Sequence, residues 1–193
     1  GVDGVEPVVG NDFLGDVDVQ PLEGEGHVAV LADLPVGALQ VVVDPLDIGA
    51  GLAGLSAATD THVFAGLAID LGTTRVVLRL VDLASGCPLA ELAFDNPQET
   101  IGPDILSRIH FAEKEDGLGQ LNDLIISGLN SAIGQLCDSR QLTPGHIYAL
   151  TVAGNTTMTH LFMGLDPKWI IREPYIPVVN SPGAVKAQAL GLR

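Results

Sequence analysis

Basic residues are scarce in this sequence of 193 residues. Nine Lys and Arg stand against 24 Asp and Glu, which gives a formal net charge of −15 at pH 7. The first basic residue is Arg75, and twelve acids precede it. Nucleic acids and anionic membranes attract proteins through clustered Lys and Arg. The composition therefore argues against both kinds of partner, and the uneven charge predicts two segments with different roles.

Cysteine is equally scarce. Cys87 and Cys137 are the only two, with no CxxC pair and no histidine at ligand spacing. Structural zinc and iron–sulfur sites need about four such ligands, so the chain encodes no metal site built from protein ligands alone. Two free thiols are typical of a reducing compartment. Because the sequence also lacks a transmembrane run and a basic signal-peptide start, we expect a cytoplasmic protein.

The chain is predicted to divide near residue 64. Residues 1–64 are rich in Gly, Val, Asp and Pro and contain no recognisable motif. Within them, residues 27–31 and 39–43 have the composition of strands, and residues 49–54 are typical of a linker. We predict an acidic appendage of unknown role over 1–64 and the first lobe of a larger domain over 65–193.

Hydrophobic patterning predicts an α/β lobe after residue 64. Three short runs joined by tight turns indicate an antiparallel meander, and two helices then lead to a further strand that is apolar enough to be buried on both faces. A meander followed by a helical crossover is the ribonuclease-H-like plan. Asp116 is the expected N-cap of the longer helix, and Gly164 is expected to end the last one. The predicted strands are 67–71, 75–81, 88–94 and 147–153, and the predicted helices are 103–112, 118–137 and one after residue 154.

A Gly-Thr turn lies between the first two predicted strands. Asp70 is near the end of the first strand, and Gly72, Thr73 and Thr74 form the turn. Backbone N–H groups and hydroxyls in such a turn can bind phosphate oxygens, and glycine lets the backbone approach closely. Asp70 would hold Mg²⁺ through water, because Mg²⁺ releases its hydration shell reluctantly. The alternative is an ordinary hairpin turn without a ligand.

A second polar motif joins the last predicted strand to its helix. It consists of Gly154, Asn155, Thr156 and Thr157. The N-terminus of a helix attracts anions, and Asn and Thr add further hydrogen-bonding groups. We predict that these residues line a ligand cleft. A compatible alternative is that Asn155 or Thr156 simply caps the helix.

Three other polar residues have two interpretations each. Asp104 and Arg108 lie four apart on a predicted helix, which is the spacing of a surface ion pair. The alternative is that both line the cleft. His160 is expected to pack or to cap a helix rather than to catalyse. The sequence assigns no catalytic residue.

Several stretches of the chain together resemble one family. The first is similar to the first phosphate loop of the superfamily of acetate and sugar kinases, heat-shock chaperones and actin. The others are similar to segments of ATP-dependent reductive activators of corrinoid proteins, with Pro103 where that family usually has Ala. The stretches are 68–74 (AIDLGTT), 96–98 (NPQ), 102–109 (GPDILSRI) and 152–164 (VAGNTTMTHLFMG), followed by Pro174 and Pro177.

The resemblance covers residues 67 to 193 and implies the first lobe of an actin-like ATPase. Such an activator would use ATP and Mg²⁺ to drive an electron from an iron–sulfur cluster to cobalt(II), returning a corrinoid protein to cobalt(I). The implied partner is a corrinoid protein or a corrinoid methyltransferase system, and a homodimer is a further expectation. This chain departs from the family, since it has neither the cluster cysteines nor a second lobe. We therefore expect these 193 residues alone to be inactive.

Two other functions stay open. A small-molecule kinase on the same fold would need a catalytic carboxylate near Gly154, and none occurs before Asp166. A non-catalytic module would bind a partner, and would bind magnesium-ATP without turning it over.

Overall fold

The computed structural model describes residues 38–42, 63–180 and 182–193. These residues form a mixed sheet of six strands, three α-helices and short 3-10 segments. The strands are β1 (Ala38–Val42), β2 (Ala65–Leu71), β3 (Arg75–Asp82), β4 (Pro88–Asp95), β5 (Ile147–Gly154) and β6 (Val185–Lys186), and the helices are α1 (Ile105–Ala112), α2 (Gly117–Ser139) and α3 (Thr156–Met163).

The strand order places the two polar motifs at one edge of the sheet. The order is β4–β3–β2–β5–β1–β6, in which β2, β3 and β4 are antiparallel neighbours and β5 runs parallel to β2. This confirms the predicted α/β class, the meander and the helical crossover. Because β2 and β5 are parallel, their carboxyl ends meet, and Leu71 lies opposite Gly154. The segments that follow these two residues therefore start side by side.

Strand β1 comes from the acidic part of the sequence. It lies between β5 and β6, antiparallel to β5 and parallel to β6. Its position coincides, within one residue, with the strand predicted at 39–43. The strand predicted at 27–31 and the linker predicted at 49–54 lie outside the described residues, and the division at residue 64 stays a prediction.

Helix α2 covers one face of the sheet with an aliphatic core. Side chains on β2 and β3 alternate between buried and more exposed positions, and α2 has buried residues at helical spacing. Burying a Leu or Ile side chain contributes roughly 1.5–3 kcal/mol, so this layer is the main stabilising element. The buried members include Leu67, Ile69, Leu71, Val76, Leu78 and Leu80 on the strands, and Leu121, Ile125, Leu129, Ile133 and Leu136 on α2.

Two local predictions need correction. Asp116 directly precedes α2, as predicted, but its backbone is left-handed with φ of 56° and its side chain makes no capping bond. A capping residue has extended geometry, so the sequence located the boundary but not the role. The second correction concerns β5, where Leu150 and Val152 on one face are buried but Thr151 and Ala153 on the other are only partly covered. The two faces of that strand are therefore not equally buried.

The last helix ends as the sequence predicts. Gly164 follows α3 with φ of 68°, a left-handed conformation that glycine adopts without steric cost. In the part of the chain that the structure describes, no helix is both long and apolar enough to cross a bilayer.

Candidate functional site

The loop of Gly72, Thr73 and Thr74, called here the 72–74 loop, is anchored through all three of its carbonyl oxygens. Nδ2 of Asn96 donates to the oxygen of Gly72 at 2.8 Å. Nη2 of Arg108 donates to the oxygen of Thr73 at 2.8 Å. The backbone N–H of Asn96 donates to the oxygen of Thr74 at 2.7 Å. These bonds fix the loop from the protein side and leave its hydroxyls and N–H groups as the groups that can meet a ligand.

Close packing at the start of the loop requires glycine. A Cβ added at Gly72 would lie 2.3 Å from the backbone oxygen of Arg75, which no other residue can tolerate without moving the loop. At Gly154, a Cβ would lie 3.2 Å from the oxygen of Leu71, so the ends of β2 and β5 approach each other closely. Packing within the protein therefore restricts the side chain at both positions.

The Asn-Pro-Gln segment after β4 links the loop to the core. Asn96 is 1% exposed, and its Oδ1 accepts from the backbone N–H of Gln98 at 3.0 Å. Gln98 is fully buried, and its Nε2 donates to the oxygen of Leu121 on α2 at 2.9 Å. Apart from the resemblance, no site role is predicted for these two residues. The available signal is Asn before Pro, a common start of a helical turn.

Arg108 is the most connected residue of the site. Its side chain is fully buried, and Nε donates to the oxygen of Gly102 at 2.8 Å. Nη1 donates to Oε1 of Gln98 at 3.2 Å and lies 3.4 Å from the sulfur of Met158 on α3. Together with the bond to Thr73, these contacts join the 72–74 loop, the Asn-Pro-Gln segment, the start of α1 and α3 through one guanidinium.

The surface ion pair predicted between Asp104 and Arg108 is wrong. Asp104 caps α1, and its carboxylate accepts from the backbone N–H and the hydroxyl of Ser107 at 2.8 and 2.9 Å. These bonds lower the pKa of the Asp104 carboxyl. Arg108 turns inward instead, because buried carbonyl oxygens need donors. Burial lowers the pKa of its guanidinium while Glu99 and Asp104 oppose that shift, and arginine remains protonated.

The second polar motif contacts the first through Asn155. Its Oδ1 accepts from the N–H of Met158 at 2.9 Å, which confirms the predicted cap of α3. Its Nδ2 donates to the hydroxyl oxygen of Thr73 at 3.2 Å. Asn155 and Thr156 are exposed at this edge, whereas Thr157 is only 3% exposed and packs inside. The cleft-lining role predicted for this motif, and for Asp104 and Arg108, stays a prediction.

Asp70, the carboxylate predicted to hold Mg²⁺, lies two residues before the 72–74 loop. It is exposed near the end of β2, in register with Val77 on β3 and Ala153 on β5. Within residues 63–180 and 182–193, no three Cys, His, Asp or Glu side chains cluster closely enough to enclose a metal. One carboxylate fits a Mg²⁺ ion that keeps most of its water. The residues present therefore fit a water-bridged ion held jointly with phosphate.

His160 has the packing role that the sequence predicts. The ring is fully buried, and Nδ1 lies 2.7 Å from the backbone oxygen of Thr156. Because a carbonyl oxygen only accepts, Nδ1 carries the proton. Nε2 has no hydrogen-bond partner in the described part of the chain.

The two cysteines lie on different elements. Cys87 is exposed just before β4, and Cys137 is buried on α2, where burial raises the pKa of its thiol. A cluster that needs about four protein ligands does not fit two thiols in these positions. We assign no electron-transfer step to this chain.

Comparison with known proteins decides the family. Residues 65–193, well over half of the chain, match the family model described as the RACo middle region. The chain belongs to this family. The corrinoid activation enzyme RamQ of Eubacterium limosum is 38% identical over 112 residues, covering 58% of this chain and 19% of RamQ. A solved structure described as a reductive activator for corrinoid, iron–sulfur protein matches with a TM-score of 0.67 and 41% identity, covering 70% of this chain and 22% of that one.

These matches confirm the resemblance to reductive activators of corrinoid proteins. The family match includes every residue of the candidate site, from Asp70 to Thr157. The chain spans about a fifth of the length of each relative.

Proposed function

We propose that this chain is the phosphate-binding lobe of an ATP-dependent reductive activator, which returns cobalt(II) corrinoid proteins to cobalt(I). Membership of the RACo middle region family and the two relatives support a role in corrinoid activation. The observation that carries the ATP-binding part is the 72–74 loop, anchored through each carbonyl and placed against the capped start of α3. The proposed partner is a corrinoid protein.

The loop would hold phosphate through groups that the fold leaves available. The hydroxyl oxygen of Thr73 accepts a hydrogen bond from Asn155, so its own proton can be donated to a phosphate oxygen. The N-terminus of α3 adds a partial positive charge at the same edge. Asp70 would orient the water shell of the magnesium ion that accompanies ATP.

The sheet order supports an actin-like lobe. In the ribonuclease-H-like plan a three-stranded meander is followed by a helical crossover to a parallel strand, which is the arrangement of β2 to β5. We propose that the nucleotide lies over the edge where β2 and β5 end. When bound, ATP supplies free energy for the uphill one-electron reduction of cobalt, and this chain's own residues bind and orient the phosphates.

A kinase function on the same fold has less support. The first carboxylate after Gly154 is Asp166, which lies beyond the C-terminal end of α3. Its carboxylate accepts from the backbone N–H of Lys168 at 2.9 Å, which closes a local turn. A catalytic base would have to lie at the opposite end of α3, beside the 72–74 loop.

The test compares Asp70→Ala with Asp123→Ala in the complete activator that contains this lobe. Both aspartates are exposed, but Asp123 lies on α2. We expect Asp70→Ala to abolish both ATP hydrolysis and the ATP-driven formation of cobalt(I), while the fold stays intact. The absorption spectrum of cobalt(I) measures the second activity. Asp123→Ala should leave both activities unchanged. Unimpaired turnover in Asp70→Ala would remove the phosphate-loop assignment, and magnesium-ATP binding without turnover in the unmodified activator would favour the non-catalytic module.

A further inference from the structure

Arg108 carries a positive charge into a fully buried position without an acid in direct contact. Its hydrogen bonds go to the carbonyl oxygens of Thr73 and Gly102, the amide oxygen of Gln98 and the sulfur of Met158. Among the described residues, no carboxylate oxygen lies within 4.0 Å of the guanidinium nitrogens. Buried charges are normally paired, because desolvating an ion is costly. The fold thus keeps a cation directly behind the 72–74 loop that has no direct ion pair, since Glu99 and Asp104 act on it only from beyond 4.0 Å.

We propose that Arg108 is the positioning residue of the phosphate site, and that its charge is balanced when a polyphosphate lies on the 72–74 loop. This inference rests on the proposed function, because it requires the loop to bind phosphate. It adds a role that the sequence does not suggest, in which a residue behind the loop sets the preference of the site for highly charged anions.

The covalent structure of the loop provides a direct route for this effect. Nη2 of Arg108 donates to the carbonyl oxygen of Thr73, which belongs to the same peptide group as the N–H of Thr74. A donor on the carbonyl polarises that peptide and makes its N–H a stronger donor to an anion. The contact with Met158 ties the guanidinium to α3, whose cap Asn155 binds the hydroxyl of Thr73. Arg108 therefore connects both halves of the site.

The attraction between Arg108 and a ligand should grow with the charge of the ligand. This dependence distinguishes an electrostatic role of Arg108 from a purely structural one. Loss of a structural support weakens every anion by a similar factor. Loss of a charge weakens tripolyphosphate more than sulfate, because the Coulomb energy scales with the product of the charges. At constant ionic strength we expect removal of the charge to weaken sulfate about twofold and tripolyphosphate, whose charge is about 2.5 times larger, about sixfold.

The experiment titrates the ¹⁵N-labelled 193-residue chain with sodium tripolyphosphate and, separately, with sodium sulfate, following the amide signals of the 72–74 loop. Arg108→Gln removes the charge, and Arg108→Lys keeps it while losing the forked hydrogen bonds. Ile109→Ala is the matched control, since Ile109 is the neighbouring, fully buried residue on α1 and makes no bond to the loop. Arg108→Gln should reduce the ratio of tripolyphosphate affinity to sulfate affinity about threefold, and the other two variants should retain that ratio.

The outcomes separate this inference from the proposed function. If tripolyphosphate shifts no loop amide in the unmodified chain, this inference is overturned, and the Asp70→Ala comparison in the complete activator decides the proposed function. If the unmodified chain binds and Arg108→Gln keeps the same preference, or Arg108→Lys loses it, only the role of Arg108 is overturned. If Arg108→Gln does not fold, the titration of the unmodified chain tests the role of Arg108 instead. The Nε–H signal of Arg108 must then shift with tripolyphosphate along the same saturation curve as the loop amides. A signal that stays fixed contradicts the inference.

Discussion

Asn96 offers the sharpest test of how the 72–74 loop is held in place. Asn96→Ala removes the donor to the oxygen of Gly72 and the acceptor for the N–H of Gln98, at a position that is only 1% exposed. Each buried group left without a partner costs about 1–3 kcal/mol, so we expect a loss of roughly 2–5 kcal/mol in the free energy of unfolding. For a lobe of the size of residues 65–193, this loss in the free energy of unfolding corresponds to a fall in Tm of about 10 °C.

Urea unfolding is the appropriate assay, since a shift in midpoint at constant slope reports stability alone. Asn122→Ala is the matched control: Nδ2 of Asn122 donates to the oxygens of Leu161 and Phe162 at the far end of α3. It should also destabilise the protein, but only Asn96→Ala should move the amide signals of Gly72 and its neighbours. A loss below about 0.5 kcal/mol in Asn96→Ala, within the range of an ordinary surface substitution, would refute the anchoring argument.

Four further predictions follow from individual contacts. Gly72→Ala should cost about 1–3 kcal/mol by urea unfolding and displace the loop, because the new Cβ would meet the oxygen of Arg75; an unchanged midpoint would contradict the packing. A thiol reagent at pH 8 should label Cys87 alone in the native chain and both cysteines in denaturant, since Cys137 is buried with a raised pKa. The pKa of Asp104 is lowered from its ordinary value of 3.8, so its stabilising effect is present above that pH and is lost as pH falls through the lower folded value. Asp104→Asn should therefore make stability less pH-dependent below pH 3.8, and an unchanged acid profile would count against the cap. Calorimetry should find that the 193-residue chain binds magnesium-ATP no tighter than roughly millimolar, because it supplies phosphate contacts from one loop only; micromolar binding would mean that the nucleotide lies elsewhere.

The elements of the lobe were predictable because their signals are local. The meander follows from apolar runs separated by tight turns, and α2 follows from apolar residues at helical spacing from Leu121 to Leu136. The parallel pairing of β5 follows from its near-continuous apolar run. The proximity of the two polar motifs then follows from the rule that the carboxyl ends of parallel strands lie at the same edge of the sheet.

The network behind the loop was not predictable, because its partners are distant in sequence. Arg108 binds Thr73, 35 residues away, and Met158, 50 residues away. Helical spacing indicates that Asp104 could reach Arg108, but it does not reveal which buried carbonyl oxygens lack donors. The prediction that Asp116 caps α2 was wrong for a related reason, because composition marks a helix boundary but does not determine the backbone angles of the residue there.

The most direct test of the central claim is a structure of the complete activator with magnesium and a non-hydrolysable ATP analogue. We expect phosphate oxygens to accept hydrogen bonds from the N–H groups and hydroxyls of the 72–74 loop. The metal ion should be joined to Asp70 through water, and Arg108 should still donate to the oxygen of Thr73. Phosphates bound at another site, with the 72–74 loop anchored as described and empty of ligand, would contradict the central claim.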